Sequence, residues 1–218
     1  MPPLQPREVA DYLTGLAVVE HRDPVLDEME TRADELGFPL VGRSAGRFLE
    51  LAARAVGARR VLELGSGFGY SAYFFAGAVG PQGEVVCTDL DPANAELAEG
   101  YLRRADRWDP VRWRTGDALE ALHAEQGEFD VIFCDVDKDA YPDCWRAAAQ
   151  RLRVGGVWLC DNVLWDGRVA GLGEPGEPAR EAMIEPIREM TRLVVDDDRY
   201  VSSIVPLRDG VQMALRVA

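Results

Sequence analysis

Over the first forty positions, apolar residues recur at helical spacing, and two amphipathic helices are predicted over residues 6–18 and 24–36. The second has an Asp23-Pro24 start and a Gly37 stop, the usual signals for helix entry and exit. Ser44 is placed to cap a third helix whose apolar side carries Phe48, Leu49, Leu51 and Ala52. From residue 60 the pattern changes to short apolar runs alternating with helical stretches. The runs at 60–64, 84–88, 111–115, 129–134 and 157–160 are read as strands. The last two are continuous enough to be buried on both faces of a parallel sheet. Helices are predicted at about 69–79, 92–104 and 139–152, the last closed by Gly155-Gly156. A further helix at about 177–193 precedes two strands, 200–206 and 211–217, joined by Leu207-Arg208-Asp209-Gly210, where Asp-Gly signals a hairpin.

This alternation predicts a mostly parallel α/β sheet of seven strands, closed by an antiparallel hairpin and covered by helices on both faces. Its length of 218 residues suits one domain, with residues 1–42 as a helical lid or dimer segment and 43–218 as the core. Ligands of such sheets bind beyond the carboxyl ends of the strands. The polar motifs fall there.

The first strand runs into Gly65-Ser66-Gly67-Phe68-Gly69-Tyr70-Ser71, a glycine turn opening a helix, with Glu63 just before it. Glycine permits close backbone approach, and a helix start offers free N–H groups. A dinucleotide fingerprint would need glycine where Tyr70 stands, which disfavours a nicotinamide-dependent oxidoreductase. Glu63 suits a cationic ligand better than a pyrophosphate. Asp89, ending the second strand, is placed for a ribose diol. Asp117, beside Ala118 after the third, is placed for an adenine amino group. A plain tight turn and two helix caps are the alternative reading of the same residues.

The fourth strand ends in Asp135-Val136-Asp137-Lys138-Asp139-Ala140-Tyr141 and the fifth in Asp161-Asn162-Val163-Leu164-Trp165. Neighbouring strands would bring Asp135, Asp161 and Asn162 together, an oxygen donor set suited to a hard divalent cation of the Mg²⁺ kind. Strand-end caps are the alternative for either aspartate, and Asp137 is read as a solvated loop charge in preference to a ligand.

Composition sharpens one position. Of 24 basic residues, 23 are arginine, and Lys138 is the single lysine. A lysine can act as a base if its pKa is depressed, whereas arginine stays protonated. The charge of −14 disfavours a polyanionic partner such as nucleic acid. The absence of a basic, apolar leader or a membrane-length apolar run leads to a cytoplasmic reading. Cys87, Cys134, Cys144 and Cys160 form no ligand or disulfide pattern and are expected to be free thiols.

From about residue 40 onward, the L-E-L-G-S-G-F-G-Y-S, F-x-D-x-D-K-x-x-Y and D-N-x-L-W-x-G motifs resemble the catechol and caffeoyl-CoA O-methyltransferases. These are class I, Rossmann-like enzymes dependent on S-adenosylmethionine and a divalent metal. The resemblance implies donor contacts from Gly65, Gly67, Tyr70, Ser71, Asp89 and Ala118, with Val41, Glu63, Asp117 and Asp135 as further candidates. It implies metal ligation by Asp135, Asp161 and Asn162, with Lys138 as general base. Pro39 and Trp165 are expected beside a catechol-type acceptor, and a homodimer is expected. Methylation of a hydroxylated uridine in tRNA is the nearest rival, with Arg103-Arg104 and Arg112–Arg114 as candidate basic patches. A non-enzymatic nucleotide-binding regulator is another, although it would need neither metal ligands nor Lys138.

The acidic, lysine-poor composition also resembles that of salt-adapted proteins. Salt adaptation predicts unfolding, followed by circular dichroism, when salt is removed; full stability in low salt would contradict it.

Overall fold

The computed structural model describes residues 7–20, 22–172 and 176–218; the predicted helix start at residue 6 lies outside them. Three helices, α1 (Arg7–Glu20), α2 (Pro24–Leu36) and α3 (Gly42–Ala55), precede β1 (Arg60–Leu64). Alternation then runs through α4 (Tyr70–Val79), β2 (Glu84–Asp89), α5 (Pro92–Arg104), β3 (Val111–Thr115), α6 (Ala118–Ala124) and β4 (Phe129–Cys134). It continues through α7 (Tyr141–Ala148), β5 (Leu152–Cys160), α8 (Pro178–Ala182), α9 (Ile184–Val195), β6 (Tyr200–Val205) and β7 (Val211–Arg216).

The seven strands lie in the order β3-β2-β1-β4-β5-β7-β6, the first five parallel and β7 antiparallel to β5 and β6. The order reverses between β1 and β4, and the crevice at that switch point is where such sheets hold ligands. Side chains from alternate strand positions fill two cores. Val61, Val85, Phe133 and Leu159 pack with Leu26, Leu49, Phe74 and Leu102 on one face. Leu62, Ile132 and Trp158 pack with Leu122, Trp145 and Met190 on the other. All four cysteines are buried free thiols, as expected. No helix among the described residues is long and apolar enough to cross a membrane.

Local chemistry explains most boundaries. Asp23 caps α2 by accepting from Val25 N at 2.8 Å, and Gly37 ends it in the left-handed region at φ 62°. Four expectations are corrected. Ser44 lies inside α3, whose N-cap is Val41 without a side-chain bond, and the serine Oγ is buried without a partner. The helix expected over 139–152 is a 3₁₀ turn, Lys138–Ala140, followed by the short α7. Its supposed stop, Gly155-Gly156, lies within β5, where β4 and β5 shift register between Phe129 and Val131. A Cβ on Gly156 would lie 2.9–3.1 Å from three backbone carbonyls, so this irregularity requires glycine. The helix predicted over 177–193 is two helices, α8 and α9, meeting at Met183. The pattern also missed α6, capped by Asp117 accepting from Glu120 N at 2.9 Å.

Packing of α3 on α4 depends on Gly46, where an added Cβ would lie 2.2 Å from the Phe74 ring. Helix propensity alone would make Gly46→Ala stabilising by about 1 kcal/mol. Overpacking a closed core costs about 1–3 kcal/mol and should outweigh it. Net destabilisation is expected in urea titrations; a gain in stability would show that Phe74 moves aside freely.

Candidate functional site

The ends of β1 and β4 touch through their backbones. Asp135 N donates to Leu64 O at 2.9 Å, and a Cβ on Gly65 would sit 2.5 Å from the Asp135 carbonyl oxygen. Gly65 has φ 82°, so both its conformation and its neighbour exclude a side chain. The buried Thr88 hydroxyl fastens the turn to β2, donating to Glu63 O at 2.8 Å and accepting from Gly65 N at 3.2 Å. Gly67, at φ 50°, is roofed by Phe38, whose ring would lie 2.8 Å from an added Cβ. Gly69 packs on Ala98 of α5 in the same way, at 2.9 Å. The turn that opens α4 therefore leaves no room for a side chain at Gly65, Gly67 or Gly69.

Beneath it Glu63 is fully buried, and neither carboxylate oxygen has a protein hydrogen-bond partner. Burial raises its pKa to about 7, opposed by the nearby Ser71 and Ser66 hydroxyls and the Cys87 thiol, while the Asp135 charge adds to the rise. Asp89, half-buried at the end of β2, accepts through Oδ1 from Asp91 N and Asn94 Nδ2, both at 2.9 Å. Exposed Asp117 serves as the α6 cap, and Ala118 follows it. Buried Tyr70 turns its hydroxyl toward α2, donating to Glu30 Oε1 at 2.5 Å. Glu30 also pairs with the buried Arg43, which bonds Asp27. Ser71 and Val41 are buried, whereas Pro39 is exposed.

The second group lies across the β4–β5 ends, where Asp161 N donates to Cys134 O at 3.1 Å. Lys138 Nζ is 3.2 Å from both Asp135 Oδ1 and Val136 O, and faces the Tyr141 and Trp165 rings at 5.0 and 5.9 Å. Tyr141 Oη, fully buried, donates to Asp161 O at 2.8 Å. Asp161 Oδ1 is buried without a partner, and burial together with the Asp135 charge pushes its carboxyl above the ordinary range. Asn162 adopts φ 56°, a left-handed conformation that asparagine tolerates better than most residues. An orphaned carboxylate oxygen facing a second carboxylate, with an amide beside it, fits a hard cation. Among the described residues no trio of His, Cys, Asp or Glu side chains is gathered for a metal; this set is two carboxylates and an amide.

Burial opposes the charge of Lys138, but the Asp135 carboxylate and the neighbouring cysteines outweigh it, so its pKa lies above the usual lysine value; the depression expected from sequence was to come from a neighbouring metal charge. Asp137 is exposed, as read from sequence. Half-buried Trp165 is fixed by its indole N–H donating to Arg180 O at 2.9 Å. Sequence reasoning missed the β6–β7 turn as part of this region. Asp209 Oδ1 accepts from Asp166 N at 2.5 Å, and Arg208 donates to Leu40 O at 2.6 Å. Asp-Gly announced a turn, but nothing local revealed what the turn would meet. The suggested basic patches are ion-paired: Arg103 with Glu99, Arg104 with Glu28, and Arg112 and Arg114 with the buried Glu125.

A seven-stranded sheet with this order and this glycine turn defines a class I methyltransferase architecture. The O-methyltransferase family is matched over residues 18–217, and the chain belongs to it. Caffeoyl-CoA O-methyltransferase 1 of Eucalyptus globulus is 29% identical over 198 residues, covering 87% of this chain and 76% of that one. Among solved structures, an O-methyltransferase from Bacillus cereus in complex with SAH superposes with a TM-score of 0.82 at 29% identity, covering 96% of this chain and 97% of that one. The O-methyltransferase TomG from Streptomyces achromogenes, in complex with SAM, gives 0.79 at 27% identity, with 90% and 91% covered.

Glu63 yields a pH prediction. Its folded pKa of about 7 exceeds the ordinary 4.5, so between these values the folded state holds a proton that the unfolded state releases. Stability therefore falls as pH rises through that window, by an amount on the order of 3 kcal/mol at full deprotonation. In donor-free protein, Glu63→Gln should melt higher than the parent at pH 8 and equal it near pH 4, below the unfolded value of 4.5. Identical melting curves at both pH values would show that Glu63 carries no such penalty.

Proposed function

We propose that the protein transfers a methyl group from S-adenosylmethionine to one of two adjacent hydroxyls of a catechol-type small molecule. The observation that carries this reading is the contact between Gly65 and Asp135, which sets the glycine turn against the Asp135–Lys138–Asp161 group. The donor complexes of structural relatives, reported as SAM and SAH, support placing the donor at that turn. The name of the Eucalyptus relative supports a phenolic acceptor.

In this reading, backbone N–H groups at the start of α4 and the Asp89 carboxylate hold the donor. Ala118 lies beside the adenine with Asp117, Val41 covers the donor, and Glu63 lies beneath it. Glu63 offers a negative charge to a ligand bearing a sulfonium and an ammonium. Asp135, Asp161 and Asn162 would hold a divalent cation of the Mg²⁺ kind. When bound, it lowers the pKa of adjoining hydroxyls and fixes their orientation. Trp165 and Pro39 flank the aromatic ring. Lys138 would take the hydroxyl proton as the neutral amine, its ammonium proton having first passed to solvent. The acceptor oxygen then forms its bond to the methyl carbon as the carbon–sulfur bond breaks, the electron pair remaining on sulfur. Alignment of acceptor oxygen, methyl and sulfur supplies much of the acceleration.

The test is transfer of labelled methyl from S-adenosylmethionine to catechols with Mg²⁺ or with EDTA. Transfer is expected only with Mg²⁺, and Lys138→Met should lower kcat by about 10²–10⁴-fold, the range of a lost general base. Donor binding measured by calorimetry should survive that substitution. Transfer unchanged by both EDTA and Lys138→Met would overturn the proposed chemistry.

A further inference from the structure

We infer that Arg208 reads an anionic substituent on the acceptor; the inference rests on the catechol reading above and adds the chemical character of the rest of the molecule. Arg208 sits at the tip of the β6–β7 turn with φ 51°, a conformation that favours glycine and that an arginine adopts only at some cost. Its stem and guanidinium lie over Gly42, 3.6 Å from where a Cβ would stand. One nitrogen donates to Leu40 O at 2.6 Å. The guanidinium is thereby held against Leu40 and Gly42, which flank Val41 and follow Pro39 in the chain. The turn is tied to the segment after β5, where Val163 N donates to Gly210 O at 3.1 Å, Leu164 N to Asp209 O at 2.9 Å and Asp166 N to Asp209 Oδ1 at 2.5 Å, which sets Arg208 beside the Asp161–Trp165 end of the proposed acceptor region.

What sets Arg208 apart is its lack of an acidic partner. Of the cations near the proposed acceptor region, Lys138 pairs with Asp135 and Arg180 with Asp166. Among the described residues Arg208 has no carboxylate within 4.0 Å, and Leu40 O is its one hydrogen-bond acceptor. The protein carries a net charge of −14, and Asp166 and Asp209 lie together at this turn. A negatively charged acceptor would be repelled there without a fixed, uncommitted cation. A planar guanidinium with spare N–H donors recognises carboxylate and phosphate alike.

The two sources of negative charge are separable. The experiment compares 3,4-dihydroxybenzoate and 3,4-dihydroxycinnamate with their methyl esters, and with the coenzyme A thioester of the cinnamate. The thioester lacks the carboxylate but carries phosphates. In Arg208→Gln, the acid-to-ester ratio of kcat/KM should fall by about tenfold or more, mainly through KM, as expected for loss of a charge-assisted bond. Arg208→Lys should restore part of it. A fall for the thioester instead of the free acids would assign the charge to phosphate. An unchanged ratio, or equal losses for acid and ester, would overturn the inference and leave Arg208 a strap on Leu40. If the wild-type protein methylates none of these acceptors, the catechol reading fails. Calorimetric binding of acid against ester to wild type and Arg208→Gln then decides the role of Arg208 by the same ratio.

Discussion

Gly65 and Asp135 meet backbone to backbone where β1 and β4 end, and the geometry of both halves of the site follows from that contact. No side chain fits at Gly65, with the Asp135 carbonyl 2.5 Å from the position of its absent Cβ. The same closeness lets Asp135 N bond Leu64 O and aims the Asp135 side chain toward Lys138. A wider separation would leave a glycine turn and an acidic cluster as unrelated features on one sheet. Held together, they would, in the proposed reading, bring the two substrates to adjacent positions, and such positioning is a large part of what an enzyme contributes to a transfer between substrates.

The electrostatics of the crevice are left incomplete by the protein alone. Glu63 is fully buried with the Ser66, Ser71 and Cys87 side chains near its carboxylate and, among the described residues, no cation paired with it, and one oxygen of Asp161 is orphaned. Such groups cost free energy unless something completes them. The two lie on different sides of the Gly65–Asp135 contact, one beneath the glycine turn and one across the strand ends. This division matches a cationic donor on one side and a divalent cation on the other. Lys138 bonds Asp135 at 3.2 Å.

Much of this was legible in the chain, because its signals are local. Asp23-Pro24 and Gly37 bracket α2, and the buried runs of β1, β2 and β4 stand out against their polar flanks. Strand ends announced Asp89, Asp135 and Asp161. Where the reading failed, a distant partner decided the outcome. Gly155-Gly156 looks like a helix stop, yet carbonyls of Phe129 and Asp130 make it part of β5. Arg208 reaches Leu40 across 168 positions, which no periodicity could disclose. The pairing of Lys138 with Asp135 depends on side-chain placement, which spacing alone does not give.

The central claim is that Asp135, Asp161 and Asn162 make one divalent-cation site against the glycine turn. Its most direct measurement is a Mn²⁺ titration of donor-loaded protein followed by electron paramagnetic resonance. One tightly bound equivalent is predicted for the parent. Its loss is predicted for Asp161→Asn, with an unchanged circular dichroism spectrum and donor still bound. Mn²⁺ binding that survives this substitution undiminished would contradict the account.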